Sequence, residues 1–201
     1  MIAVIDYDAG NIRSVVNAFA SLGAEVCVTS DPEKIKSAER VVLPGVGDFG
    51  DAAGKLREYG LEDTILQLAD SDKPFLAICV GLQLLFEESE ESPGAKGLSV
   101  LKGRIKRIPA AGGLKVPQIG WNSLDIKEGS RLFKGIDNGS FVYFVHSYYL
   151  AAEDEDIVSA TTEYGVKIHA AVERGNLFAT QFHPEKSSST GLRILRNFME
   201  L

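Results

Sequence analysis

The spacing of apolar positions changes period repeatedly along the first hundred residues. "IAVI" is a short apolar run, and Asn11 to Leu22 then sets Ile12, Val15, Val16, Phe19 and Leu22 at helical spacing. "AEVCVT" and "RVVLP" read as a second and a third strand, and Phe49 to Leu68 as helical material broken near Gly60. Phe75 to Ile78 form a further buried strand. It runs through Cys79 and a turn at Gly81 into Leu82, Leu85 and Phe86, which recur as the apolar face of an amphipathic helix. Strands alternating with helices predict a doubly wound, mostly parallel α/β sheet. After Gly97 the pattern changes to short strands and turns: "GRIKRI", "SLDI", "FVYFV", "IVSATT", "KIHAAV" and "LFATQF". Antiparallel extensions are expected there. A last helix over Thr190 to Met199 carries Leu192, Leu195 and Phe198. With no repeat or linker, residues 1–201 read as a single domain.

Composition narrows the classes. A chain of 201 residues, 45% hydrophobic and 24% charged, can bury a sizeable core. No apolar run approaches the roughly 20 residues of a membrane helix, and "MIAVIDYDAGN" has neither the basic start nor the long apolar stretch of a signal peptide. Two cysteines, Cys27 and Cys79, give no disulfide framework, and the expectation is a reducing cytoplasm. Cys27, mid-strand in "AEVCVT", is expected to be buried. A net charge of −7 argues against a nucleic-acid partner. No CxxC and no His pair at helical spacing occurs, so no metal site is expected.

In open α/β sheets ligands bind beyond the carboxyl ends of the strands. The Cys79 corner reaches that edge, and so does "PGVGDFG" after the third strand. Gly45, Gly47 and Gly50 spell G-x-G-x-x-G, the dinucleotide-binding pattern. The match follows the third strand rather than the first, and Asp70, about twenty positions on, falls in a turn. The alternative use of such glycines is to turn backbone N–H groups toward an anion. Cys79 itself reads either as a buried structural thiol or as a nucleophile, and its position alone does not separate the two.

A nucleophile needs a base, and there are three histidines. His169 lies in an alternating strand without an acidic neighbour, and His146 sits among aromatics at a strand end. His183 ends the strand "LFATQF", is followed by a strand-stopping proline, and has Glu185 two residues on. Cys79, His183 and Glu185 thus satisfy triad logic as nucleophile, base and orienter. A helix N-terminus and an imidazolium both favour a thiolate. The N–H of Val80 and one from the Gly45–Gly47 loop would form an oxyanion hole.

"AICVGLQLLFE" together with "QFHPEKS" resembles the class I, triad-type glutamine amidotransferases. Within them, "PGVGDFG", "GLQLLFEESEE", "GWN" and the lysine of "HPEKS" resemble the glutaminase subunits of imidazole glycerol phosphate synthase. The likeness runs nearly the whole length. It departs at Asp8, where a small residue is usual, and at Ala77, where glycine is common. The resemblance implies a flavodoxin-like fold, a Cys79–His183–Glu185 triad, and Gly47 and Val80 around the oxyanion. It implies glutamine recognition by Gln83, Glu91, Ser147, Tyr148 and Ser188, although Gln83 and Glu91 also read as a solvated helix face. No cofactor is implied. The implied partner is a (β/α)8-barrel cyclase subunit that takes up the ammonia in histidine biosynthesis. Trp121, Asn122 and Lys186 are interface candidates because they adjoin the active-site edge. Two readings compete: a glutaminase serving another synthase, such as anthranilate or pyridoxal phosphate synthase, and a dinucleotide-binding module.

Overall fold

The computed structural model describes residues 1–110 and 113–201. The first half alternates strands and helices: β1 (Ile2–Ile5), α1 (Ile12–Ser21), β2 (Val26–Thr29), α2 (Pro32–Ser37), β3 (Arg40–Gly45), α3 (Phe49–Glu58), α4 (Glu62–Ala69), β4 (Phe75–Cys79) and α5 (Val80–Leu84). The second half is nearly all strand: β5 (Glu88–Ser89), β6 (Gly103–Arg107), β7 (Gln118–Ser123), β8 (Asp125–Ile126), β9 (Phe141–His146), β10 (Tyr148–Ala152), β11 (Val158–Glu163), β12 (Lys167–Arg174) and β13 (Leu177–Thr180). Helix α6 (Ser188–Glu200) closes the chain.

The main sheet has the order β2-β1-β3-β4-β13-β12-β11-β8. Its first five strands pair in parallel and the last three extend it antiparallel. This is the expected doubly wound architecture, and its central strands are buried on both faces, as continuous apolar runs require. Helix α1 buries Val15, Ala18 and Phe19 on one side, and α6 buries Ile194, Leu195 and Phe198; Phe19 and Phe198 meet with ring centroids 6.1 Å apart. Two smaller sheets, β10-β6-β5 and β7-β9, lie beside the main one. Among the described residues no helix is long and apolar enough to cross a membrane.

Three expectations need correction. The helix after Cys79 is not a long amphipathic one: α5 has five residues, all buried, and the chain turns at Leu85. Its brevity follows from its place. It sits against β3, β4 and β13 at the sheet edge, and the chain then leaves to pair with β6 at Glu88. The "SLDI" strand is two strands, β7 and β8, divided at the buried Leu124. Cys27 is half-buried rather than buried, because β2 is the edge strand of the main sheet. Helix α2 was not foreseen. Asp31 caps it by accepting from the Glu33 N–H at 2.9 Å, and Pro32 fixes its first turn.

Candidate active site

Register brings the site together. β4 lies between β3 and β13; Gly45 stands opposite Cys79, and Ile78 opposite Thr180. Cys79, the glycine segment and the chain leading to His183 therefore reach the same carboxyl edge. Cys79 has φ +57° and ψ −111°, a left-handed conformation that costs a non-glycine residue about 1–3 kcal/mol. That turn lets a strand pass into a helix without an intervening loop and presents the thiol at the edge. It also requires close packing: a Cβ on Gly81 would stand 2.2 Å from the Leu43 carbonyl oxygen, so only glycine fits. The bland reading of Cys79 as merely a core thiol does not explain this strain.

His183 follows β13 and is fixed by the turn after it. The Ser187 hydroxyl donates to the His183 carbonyl at 2.6 Å and accepts the Tyr143 N–H at 2.9 Å. His183 Nδ1 lies 2.8 Å from Glu185 Oε1, with both side chains almost wholly buried. Burial alone would lower the His183 pKa. Hydrogen bonding and charge from Cys79 on one side and Glu185 on the other outweigh it and raise the value to about 10. That direction favours the imidazolium, although Nε2 itself makes no hydrogen bond among the described residues. His146 goes the other way: burial pushes it down to about 4, and its ring bridges the Tyr148 carbonyl (2.8 Å) and Gln118 (3.0 Å). It is a neutral wall residue rather than a competing base. His169 accepts the Ala152 N–H at Nδ1 and lies outside this site.

A cavity of about 300 Å³ opens over the sulfur. Its walls include Gly47, Cys79, Val80, Gln83, Glu91, Ser147, Tyr148, His183 and Lys186 from the sequence reading, and Val46, Val145 and His146 besides. Gln83 is buried, not on a solvated face, and Glu91 is half-buried, accepting the Phe49 N–H at 3.0 Å. Burial raises the Glu91 carboxyl above its ordinary range. Gly47 has φ +98°, and the adjacent Val46 N–H donates to the Ala9 carbonyl at 3.1 Å. Pro44 is held from below by the buried Tyr7, whose hydroxyl donates to its carbonyl at 2.9 Å.

Some expected residues stand elsewhere. Ser188 begins α6, is exposed, and does not line the cavity; the serine that shapes the site is Ser187, one position earlier. Asn122 gives its amide to the Glu163 carbonyl at 2.9 Å, a tie between strands. Trp121 is half exposed. Asp8 has φ +61°; its carboxylate accepts the Tyr59 hydroxyl at 2.5 Å and its carbonyl the Lys55 ammonium at 2.6 Å. Those contacts brace the loop that carries Ala9. Ala77 is fully buried between Leu43 and Ala179, where its small side chain suits the corner. Tyr7, Ser187 and Gln181 were not foreseen, since their roles depend on contacts with distant parts of the chain.

The family model for class-I glutamine amidotransferases matches residues 3–201. The chain is a class-I glutamine amidotransferase. It is 54% identical over 201 residues to the imidazole glycerol phosphate synthase subunit HisH of Methanothermobacter thermautotrophicus, covering 100% of this chain and 98% of that one. To the HisH subunit of Moorella thermoacetica it is 50% identical over 200 residues, 100% and 94% of the two chains. The chain therefore belongs to the HisH family, and it is an enzyme subunit of the kind that hydrolyses glutamine within a synthase. The fold agrees. A crystal structure of a glutamine amidotransferase superposes with a TM-score of 0.76 at 22% identity, covering 100% of this chain and 98% of that one. The structure of PurLQS from Thermotoga maritima gives 0.77 at 22% identity, over 99% and 97%.

Proposed function

We propose that this amidotransferase works through a Cys79–His183–Glu185 triad. The Cys79 thiolate attacks the side-chain amide carbon of glutamine, forming a C–S bond while the carbonyl electrons move to oxygen. Backbone N–H groups at Val80 and in the Gly47 segment hold that oxyanion. His183, kept protonated beside Glu185, gives its proton to the departing ammonia and leaves a γ-glutamyl thioester. Water, deprotonated by His183, then releases glutamate and returns the sulfur. The observation that carries this reading is the 2.8 Å His183–Glu185 contact beside a strained cysteine that lines an open cavity. The dinucleotide alternative has no comparable support: Gly45 packs against α5, and Gly47 faces the thiol's cavity.

The ammonia needs a consumer, and for it we infer a (β/α)8-barrel cyclase that makes imidazole glycerol phosphate. The docking surface proposed is the outward face of β7 and β9. Trp121 pairs with Tyr143 and Ile119 with Val145, so these side chains share one face, continued at the strand end by Phe141. Ile119, Trp121 and Phe141 are 63%, 51% and 56% exposed, an apolar patch beside Val145 and Lys186 at the cavity wall. The same partner is proposed to raise the glutaminase rate. Val46 spends its N–H on Ala9 in this structure, and partner binding that favours an inward-turned glycine segment would couple the sites.

Labelling with a glutamine-mimicking electrophile tests the triad: Cys79 should be modified and Cys27 spared, and label on Cys27 alone would sink the assignment. Cys79→Ala should abolish glutamine-dependent synthesis by the complex while ammonium-driven synthesis survives. Turnover of the chain alone, with the cyclase, and with cyclase plus its nucleotide ligand should rise in that order; equal rates would refute the coupling.

A further inference from the structure

Gln181 lies two residues before His183 with its side chain wholly buried. Its backbone is fixed, because its N–H donates to the Ala170 carbonyl at 2.8 Å. Its side-chain Nε2 stands 3.8 Å from the sulfur of Cys79, within hydrogen-bonding range of so large an acceptor. The sense of this amide is settled by a chain of contacts. The Tyr148 carbonyl can only accept, so the Gln83 atom 3.3 Å from it is nitrogen. That same nitrogen lies 3.2 Å from the Gln181 side chain, which must therefore turn its oxygen toward Gln83 and its N–H toward the sulfur. Reversing Gln181 would oppose two NH2 groups and aim an oxygen at a thiolate. The series ends in Gln83 Oε1, buried on the cavity wall and without a partner among the described residues.

We propose that Gln181 is a further catalytic residue, donating a hydrogen bond from Nε2 to the reacting sulfur, with Gln83 and the Tyr148 carbonyl fixing the direction of that donor. The inference rests on the proposed role of Cys79 as nucleophile. In the free enzyme the donor stabilises the thiolate beside the His183 imidazolium. When sulfur bonds to the amide carbon, its charge passes to the carbonyl oxygen and the hydrogen bond weakens. When water adds to the thioester carbon and the C–S bond breaks, the electron pair returns to sulfur. Gln181 is then placed to stabilise the leaving thiolate. The donor therefore assists thioester breakdown more than its formation.

The titratable groups around the sulfur are His183 and Tyr7, with Glu185 behind His183 and Glu91, His146 and Lys186 on the cavity walls. None of these changes in a Gln181 variant, so a shift in the thiol's titration reports the amide. The test is the pH dependence of Cys79 alkylation by iodoacetamide in the full chain, for wild type, Gln181→Met and Gln181→Leu, with melting temperature as the control for folding. Removing the donor should move the midpoint upward and leave roughly tenfold less thiolate below it. With glutamine and the partner present, the variants should accumulate a covalent glutamyl adduct visible by intact mass. Gln83→Met, at the cavity wall, tests the same contact should both Gln181 variants fail to fold. It frees the Gln181 amide to reverse and should raise the midpoint by a smaller amount. An unchanged midpoint in the folded variants would overturn the proposal. Failure of the triad reading looks different: wild-type Cys79 would show no preference over Cys27 for the reagent, and Cys79→Ala would keep glutaminase activity in the complex.

Discussion

Gly81→Ala is the substitution whose effect the geometry constrains most tightly. The added methyl would sit 2.2 Å from the Leu43 carbonyl oxygen, far inside van der Waals contact. Leu43 cannot yield, since it is fully buried in β3, pairs with Ala77 of β4, and follows directly on the residues that pair with β1. Helix α5 must instead withdraw by about 1 Å, and it carries the Val80 N–H and the turn at Cys79 with it. A displacement of that size at a reacting centre costs on the order of 10²-fold in rate. Overpacking adds about 1–3 kcal/mol of destabilisation. The gain from alanine's better helix propensity, about 1 kcal/mol, does not offset the clash. The assay is kcat and KM for glutamine in the assembled complex, with ammonium-driven synthesis and melting temperature measured in parallel. The expected result is a kcat loss near two orders of magnitude, ammonium-driven synthesis intact, and a lowered melting temperature. A variant with wild-type kcat and wild-type melting temperature would show that α5 does not hold the nucleophile turn against β3, and the argument would fail.

Glu185→Gln removes the carboxylate 2.8 Å from His183 while keeping its shape. Glutamine-dependent kcat should fall on the order of 10⁴-fold at neutral pH, as for the orienting aspartate of serine proteases, and less than for Cys79→Ala. His146 is held neutral in the folded chain, with burial lowering it from 6.5 to about 4. The unfolded chain binds the extra proton first, so the contribution is whole above pH 6.5 and lost as pH falls toward 4, about 3 kcal/mol in all. His146→Gln should flatten the acid limb of a melting-temperature profile, and an unchanged limb would refute the assignment. Trp121 is 51% exposed with its ring edge-on to Tyr143 at 6.0 Å. Trp121→Ala should weaken binding of the proposed cyclase by roughly 30-fold or more in calorimetric titration while leaving the isolated chain's melting temperature nearly unchanged.

What was legible in the sequence divides along the range of the contacts. His183 and Glu185 are two residues apart, and the proline between them leaves few ways to place them, so the pair could be read locally. Cys79 could be read as a corner because an apolar strand ran into it and a glycine followed at once. Strands β1, β3 and β4 were visible as continuous apolar runs, which burial on both faces demands. The length of α5 was not visible. Leu82, Leu85 and Phe86 do recur at helical spacing, but all three are buried whether or not the helix continues, so their periodicity says nothing of where it stops. The run "FVYFV" displays β9, but β10, which follows it at once and pairs with β6 rather than β7, is not visible as a separate strand. Ser188 was placed in the site by motif. Its left-handed backbone, φ +52°, instead marks the start of α6, where the side chain is exposed. Gln181 shows the limit most clearly. Nothing adjacent to it signals a role, and its two side-chain partners, Cys79 and Gln83, are 102 and 98 residues away. Only the pairing of β13 with β4 brings that amide to the sulfur. The candidate groups that a sequence displays are those marked by their immediate neighbours, as Gly81 marks Cys79 and Pro184 marks His183. The groups that tune them come from neighbouring strands, and strand order is what decides their identity.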